Sequence, residues 1–260
     1  MNPSESSAPS PRTATFSGRR VLVTGGGSGI GRALAEAFAQ RGADVLITGR
    51  RVDTLEAVCR ATPGIRAYAL DVTDRAALAR AAEELPAKYG PIDTLVNNAG
   101  VQRMFDLRQP VPPDFCDLEI DTNLRALISG TAAFLPHLLR QPRAAIINIS
   151  SGLAFVPLTS APVYSATKAA VHSFTLSLRH QLRDTSVRVI EIAPPAVSTE
   201  LHDYMGPRGR EIGIPVSEFV AEAMEGLEAD REEICVGQAK QMRADPQAAF
   251  DRINNTPLLP

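Results

Sequence analysis

The sequence predicts an α/β domain built on a doubly wound sheet of seven parallel strands with helices on both faces. Three observations carry that prediction. Short β-branched runs alternate with longer helical ones from Arg19 onward, the strand runs are apolar at most positions, and a glycine-rich turn joins the first strand directly to the first helix. Parallel neighbours need long crossovers, and a strand covered on both faces reads as a continuous apolar run rather than an alternation.

The elements follow in order. A strand over residues 20–24 leads to a helix over 30–41, a strand over 44–48 to a helix over 53–61, and a strand over 66–70 to a helix over 75–89. The strand at 94–97 precedes one long helix expected over 115–140. Strands at 144–149 and 187–192 flank a helix over 163–183, and a helix over 217–229 leads to the last strand at 233–236. Right-handed crossovers leave a crevice at the carboxyl ends of the strands, where such sheets receive a ligand.

Composition narrows the function classes. The 260 residues carry 27 Lys plus Arg against 29 Asp plus Glu, a net charge of −2, so no basic field is present to draw in nucleic acid or an anionic membrane. The most apolar long stretch, residues 124–139, is broken by Arg125, Pro136 and His137 and does not read as a membrane span. Residues 1–16 read as a flexible tail rich in Ser and Pro without the apolar segment of a secretion signal, and 17–260 as a single domain. Cys59, Cys116 and Cys235 are odd in number and widely spaced, which fits a reducing, cytoplasmic setting. His137, His172, His180 and His202 show no metal-ligand spacing, so no metal is expected.

The turn Thr24-Gly25-Gly26-Gly27-Ser28-Gly29-Ile30-Gly31 carries the first chemical signal. Glycines permit a tight turn and close backbone approach, while the free N–H groups and dipole of the following helix favour a phosphate. Its spacing is GxxxGxG rather than GxGxxG. Taken with Asn97-Asn98-Ala99-Gly100, Asn123, Ser151, and Tyr164 four residues before Lys168, the chain resembles the classical short-chain dehydrogenases/reductases over roughly residues 17–236. The stretches 147–157 and 164–179 look most like the Dlt-type oxidoreductase branch. Of four tyrosines only Tyr164 has Lys at that offset.

The resemblance implies a Rossmann fold and hydride transfer between a nicotinamide cofactor and a carbonyl or secondary alcohol, catalysed by Asn123, Ser151, Tyr164 and Lys168. Tyr164 is the expected general acid/base. Its i, i+4 spacing sets Lys168 beside the phenol, where an ammonium would lower the phenol's pKa. Ser151 is expected to hydrogen-bond the substrate oxygen, with Ser150 on the opposite side of the strand, and the Asn123 side chain to hold a water that links Lys168 to solvent. Gly25, Gly27, Ser28, Gly29, Ile30 and Gly31 would cradle the pyrophosphate, Asp71 and Val72 the adenine, and Asn97, Ala99 and Gly100 would frame the cofactor from below. Tyr164 and Lys168 would also contact the cofactor, as would Val197 and Thr199 at the carboxamide. Pro195 stands where the family commonly carries glycine, and proline excludes glycine-only conformations.

In Thr48-Gly49-Arg50-Arg51 no carboxylate occupies the place of the residue that reads an NAD ribose, and Arg50 can pair with a 2′-phosphate. NADP(H) is therefore favoured, with NAD(H) the alternative. Glycines and prolines across residues 200–215 punctuate a substrate lid. Val101, Met104, Phe155, Leu158 and Tyr204 are candidates for an apolar substrate pocket, and Arg103 and Arg208 could meet an acidic substrate, although each singly is better read as an ordinary surface arginine. The helix at 163–183 carries more apolar surface than one core stripe needs, which points with the helix at 115–140 to a homodimer or homotetramer. The rival reading is a non-catalytic NAD(P)-binding regulator or scaffold, which has no need of Tyr164.

Overall fold

The computed structural model describes residues 16–255. The expected tail lies outside them except for Phe16, whose ring stands 4.9 Å from that of Phe38. The strands are β1 (Arg20–Thr24), β2 (Asp44–Gly49), β3 (Ile65–Ala69), β4 (Thr94–Asn97), β5 (Ala144–Ile149), β6 (Val187–Ala193) and β7 (Glu233–Cys235). They form one seven-stranded sheet in the order β3-β2-β1-β4-β5-β6-β7, with every neighbouring pair parallel. The order reverses between β1 and β4, which sets the crevice above those two strands.

The helices are α1 (Gly29–Gln40), α2 (Val52–Ala61), α3 (Arg75–Tyr89), α4 (Pro113–Ile120), α5 (Ala126–Leu138), α6 (Pro162–Leu182), α7 (Val216–Glu228), α8 (Ala239–Ala244) and α9 (Pro246–Asn255). Alternation along each strand serves two cores. Val21, Val23, Val45 and Ile47 pack with Phe38 of α1, Leu55 of α2 and Phe219 of α7, while Leu22, Leu46 and Leu95 pack with Leu85 of α3, Phe134 of α5 and Leu178 of α6. Each such side chain contributes about 1.5–3 kcal/mol by leaving water.

One polar row crosses this apolar sheet. Asn97, Asn148, Glu191 and Glu233 are successive register partners on β4 to β7. Asn97 Nδ2 donates to Asn148 Oδ1 at 2.9 Å and to Thr131 Oγ1 at 3.0 Å, and Asn148 Nδ2 donates to Thr175 Oγ1 at 2.9 Å. His172 Nδ1 lies 2.8 Å from Glu191 Oε2, so a carboxylate partner found in space replaces the absent pairing in sequence. The row pairs the two asparagine amides and fixes α5 and α6 against the sheet, while Glu191 Oε1 is left without a partner among the described residues.

Two elements depart from expectation. The long helix expected over 115–140 is α4 and α5 joined by a π-helical turn, Asp121–Arg125, which carries Asn123 into the interior. A widened turn leaves no trace in an apolar period, and such turns recur at functional sites. The helices α8 and α9 went unread because they are short and largely polar; Met242, Ala249, Phe250 and Ile253 on them pack with Val156 and Phe155. Among the described residues no helix is long and apolar enough to cross a membrane.

Candidate active site

A cleft of about 660 Å³ opens along the carboxyl edge of the sheet. At one end the glycine turn leaves β1 and enters α1. Gly25 has φ +67°, and a Cβ there would lie 2.9 Å from Ala99 Cα. A Cβ on Gly31 would collide with the Gly25 carbonyl and the Asn98 side-chain amide. Ser28 at the N-cap of α1 is extended and makes no capping bond, and the first turn holds no acidic residue. The leading N–H groups thus face the cleft without a partner from the cap, over a floor only glycine allows; this fits a pyrophosphate.

Beside that floor, the exposed Arg50 lines the cleft and makes no ion pair or hydrogen bond among the described residues. Arg51 Nη2 donates to Ser28 Oγ at 3.3 Å and lies on the same wall; the doubled Arg in the sequence was its signal. Asp71 and Val72 line the cleft too. The Asp71 Oδ1 accepts from Thr73 N at 3.0 Å and Thr73 Oγ1 at 2.8 Å, a local turn.

At the other end, Pro162 opens α6, and the helix sets Tyr164 and Lys168 one turn apart, both almost fully buried. The Lys168 Nζ lies 5.5 Å from the Tyr164 ring centroid and donates to the Ile149 carbonyl at 2.9 Å. Ser151 Oγ accepts from Leu153 N at 3.1 Å, whereas Ser150 Oγ turns to the Ile192 carbonyl at 3.4 Å. The two serines separate as strand alternation requires.

Charge in this pocket runs against one expectation. Burial pushes the Tyr164 phenol above its ordinary value, with hydrogen bonding to Ser151 acting the other way, and Lys168 is not among the groups that shift it. Burial likewise brings Lys168 down to about 8, partly offset by Glu191. Desolvation is the largest influence on both groups.

The Asn123 Oδ1 accepts from Val101 N at 2.8 Å and its Nδ2 donates to the Val101 carbonyl at 2.8 Å and to Thr167 Oγ1 at 3.2 Å. The amide pins the Val101 loop to α6 through three hydrogen bonds, and its Oδ1 retains a second lone pair. Asn97 leaves the cleft, because its side chain belongs to the polar row; Asn98, the next residue on the strand's other side, replaces it. Asn98 Nδ2 donates to the Thr24 carbonyl at 2.9 Å and the Gly25 carbonyl at 3.3 Å, tying the glycine turn to β4.

The remaining expected contacts, Gly27, Gly29, Ile30, Ala99, Gly100, Val197 and Thr199, stand on the cleft wall. Thr199 Oγ1 accepts from Leu201 N at 3.3 Å, and the Pro194 carbonyl takes the Gly152 N–H at 2.7 Å, anchoring the proline-containing loop. Residues 200–211 form two 3₁₀ turns over the opening. Phe155 turns away to stack edge-on with His172 at 5.0 Å, while Met104, Leu158, Tyr204 and Arg103 line the cleft.

Comparison with known proteins agrees with this geometry. The short chain dehydrogenase family model matches residues 19–208. The chain is 42% identical over 238 residues to an uncharacterized oxidoreductase, DltE, of Bacillus subtilis, covering 90% of this chain and 94% of that one. A short chain dehydrogenase from Burkholderia cenocepacia solved with NADP superposes with a TM-score of 0.80 at 32% identity, over 94% of this chain and 100% of that chain. One from Burkholderia phymatum solved with NAD superposes at 0.82 with 23% identity, over 94% and 98%, a likeness of fold alone. With the family model matching residues 19–208 and a relative 42% identical over 90% of this chain, the chain belongs to the short-chain dehydrogenase/reductase family of NAD(P)-binding oxidoreductases.

Proposed function

We propose that this chain transfers a hydride between NADP(H) and a small-molecule carbonyl or secondary alcohol, with Tyr164 as general acid/base. The observation that carries the reading is the convergence of Ser151, Tyr164 and Lys168 on one cleft whose far end is the glycine cradle and uncapped start of α1. When bound, reduced nicotinamide supplies the hydride; the chain does the rest. The buried phenol keeps its proton at neutral pH and gives it from Oη to the carbonyl oxygen as charge develops there. Ser151 Oγ donates a second hydrogen bond to that oxygen. Lys168, mostly protonated at neutral pH, is the ammonium one helical turn away that would hold the ribose of the nicotinamide beside the phenol. A phenol raised by burial suits reduction at neutral pH and oxidation only in alkaline solution.

Preference for NADP(H) rests on the lack of a carboxylate at Gly49 and on the unengaged guanidinium of Arg50. Residues 200–215 act as the lid that excludes water. Exposed Ile128 on α5 and Leu176 on α6 support pairing of chains through these helices into a homodimer or homotetramer, and the cytoplasm is the proposed location. The test is NADPH titration by fluorescence followed by its consumption over a panel of ketones, aldehydes and quinones. Tyr164→Phe is expected to keep cofactor affinity within about twofold and to lose about 10²- to 10⁴-fold in turnover. Turnover of the variant at the wild-type rate refutes the role, and binding without any turnover by the wild type favours a regulator.

A further inference from the structure

The cleft changes character along its length. Near the cradle it is charged, with Arg50 and Arg51 facing Glu200 and Asp203, and Asp203 is itself paired with Arg210 at 2.8 Å. Around Tyr164 the wall is apolar through Met104, Leu153 and Leu158, and Arg103 lines the same cleft. The Arg103 Cζ stacks 5.5 Å from the centroid of Tyr204, a residue whose phenol acts electrostatically on that of Tyr164. Arg103 is thus one aromatic ring away from the proposed proton donor.

Its donors are largely free. Nη1 gives one hydrogen bond, to the Gln102 carbonyl at 2.9 Å, and among the described residues no other acceptor engages the guanidinium, which carries five N–H donors. Glu119, whose carboxyl feels the Arg103 charge, is fully buried and does not line the cleft. Its Oε1 accepts the backbone N–H of Arg103 at 2.7 Å and its Oε2 has no partner, while burial pushes this carboxyl up. Glu119 therefore fixes the Arg103 backbone without offering the guanidinium a matched counter-charge in the cleft.

We propose that Arg103 anchors the carboxylate of the substrate, so that the cleft takes oxo acids and hydroxy acids with the reacting carbon at Tyr164 and Ser151 and the acid group at Arg103. An apolar, partly closed setting strengthens such a charge-assisted, two-pronged contact and leaves the cation unsatisfied by a neutral ligand. The inference rests on the oxidoreductase reading above and adds the charge of the substrate to it.

The experiment compares straight-chain oxo acids of increasing length with their methyl esters as oxidants of NADPH at pH 7. For the chain length that fits, wild type is expected to favour the acid by about 10- to 100-fold in kcat/KM, mainly through KM. Arg103→Met is expected to bring that ratio near one by raising the KM of the acid far more than that of the ester, and Arg103→Lys to retain part of the ratio. A wild-type ratio near one at every length overturns the proposal, as does an Arg103→Met variant that loses acid and ester alike. If no carbonyl is reduced, the hydride-transfer reading fails by itself. The same series is then read by quenching of bound NADPH fluorescence, where tighter binding of acid by wild type than by Arg103→Met upholds the anchor and equal binding overturns it.

Discussion

Replacing Lys168 by methionine measures what a buried ammonium costs this fold. Lys168 is 4% exposed, and burial takes it from 10.5 to about 8. A fall of that size is about 3 kcal/mol, at roughly 1.4 kcal/mol per tenfold. Because the folded value lies below the unfolded one, the unfolded chain holds the proton more tightly. The penalty is complete below about pH 8 and is relieved as pH rises toward 10.5. Methionine has a similar shape and removes the penalty, but it deprives the Ile149 carbonyl of a donor, a loss of about 1–3 kcal/mol. The variant should therefore equal wild type at pH 7 or exceed it by up to about 2 kcal/mol. Wild type should then gain about 3 kcal/mol on the variant between pH 8 and 10.5. Urea unfolding followed by far-ultraviolet circular dichroism at several pH values reads this difference, free of the other titrating groups that both proteins share. A gap that stays constant across this range refutes the reasoning.

Glu191→Gln removes the charge that holds the Lys168 value up, so the alkaline limb of NADPH binding, and of kcat/KM where turnover is measurable, should move to lower pH; an unmoved limb contradicts the account. Asn148→Leu removes one of the two acceptors of the Asn97 amide and the donor that reaches the Thr175 hydroxyl, leaving Thr131 and the Val171 carbonyl as their remaining partners, which should cost about 1–3 kcal/mol in urea unfolding with NADPH affinity intact. A loss under about 1 kcal/mol would show that the polar row relaxes onto other partners.

The sheet was legible because its signals are local. The runs at β1, β5 and β6 are apolar and β-branched over the whole length of each strand, and each is bounded by turn residues. The glycine turn was equally legible, since φ +67° at Gly25 and the contact between Gly31 and the Gly25 carbonyl are demands only glycine meets. Tyr164 and Lys168 came from a fixed helical offset. What failed was the direction of side chains whose neighbours are remote in sequence. Asn97 and Asn98 are adjacent and chemically alike; one enters the polar row and the other the cleft, and only the register with Asn148 decides which. Arg103 and Arg208 were equal candidates for an acidic substrate in the sequence, and only the fold set Arg103 on the wall of the cleft.

The sequence alone determined the doubly wound sheet, the place of the crevice and the types of residue that stand around it, because periodicity, turn chemistry and crossover handedness act over a few residues at a time. Only the tertiary structure decided how those groups are charged and engaged. The commitment of Asn123 to Val101, the pairing of His172 with Glu191 and the upward push on Tyr164 all depend on which distant segments exclude water and supply partners. Desolvation and buried hydrogen bonding are properties of the packed surroundings, and no stretch of chain carries them by itself.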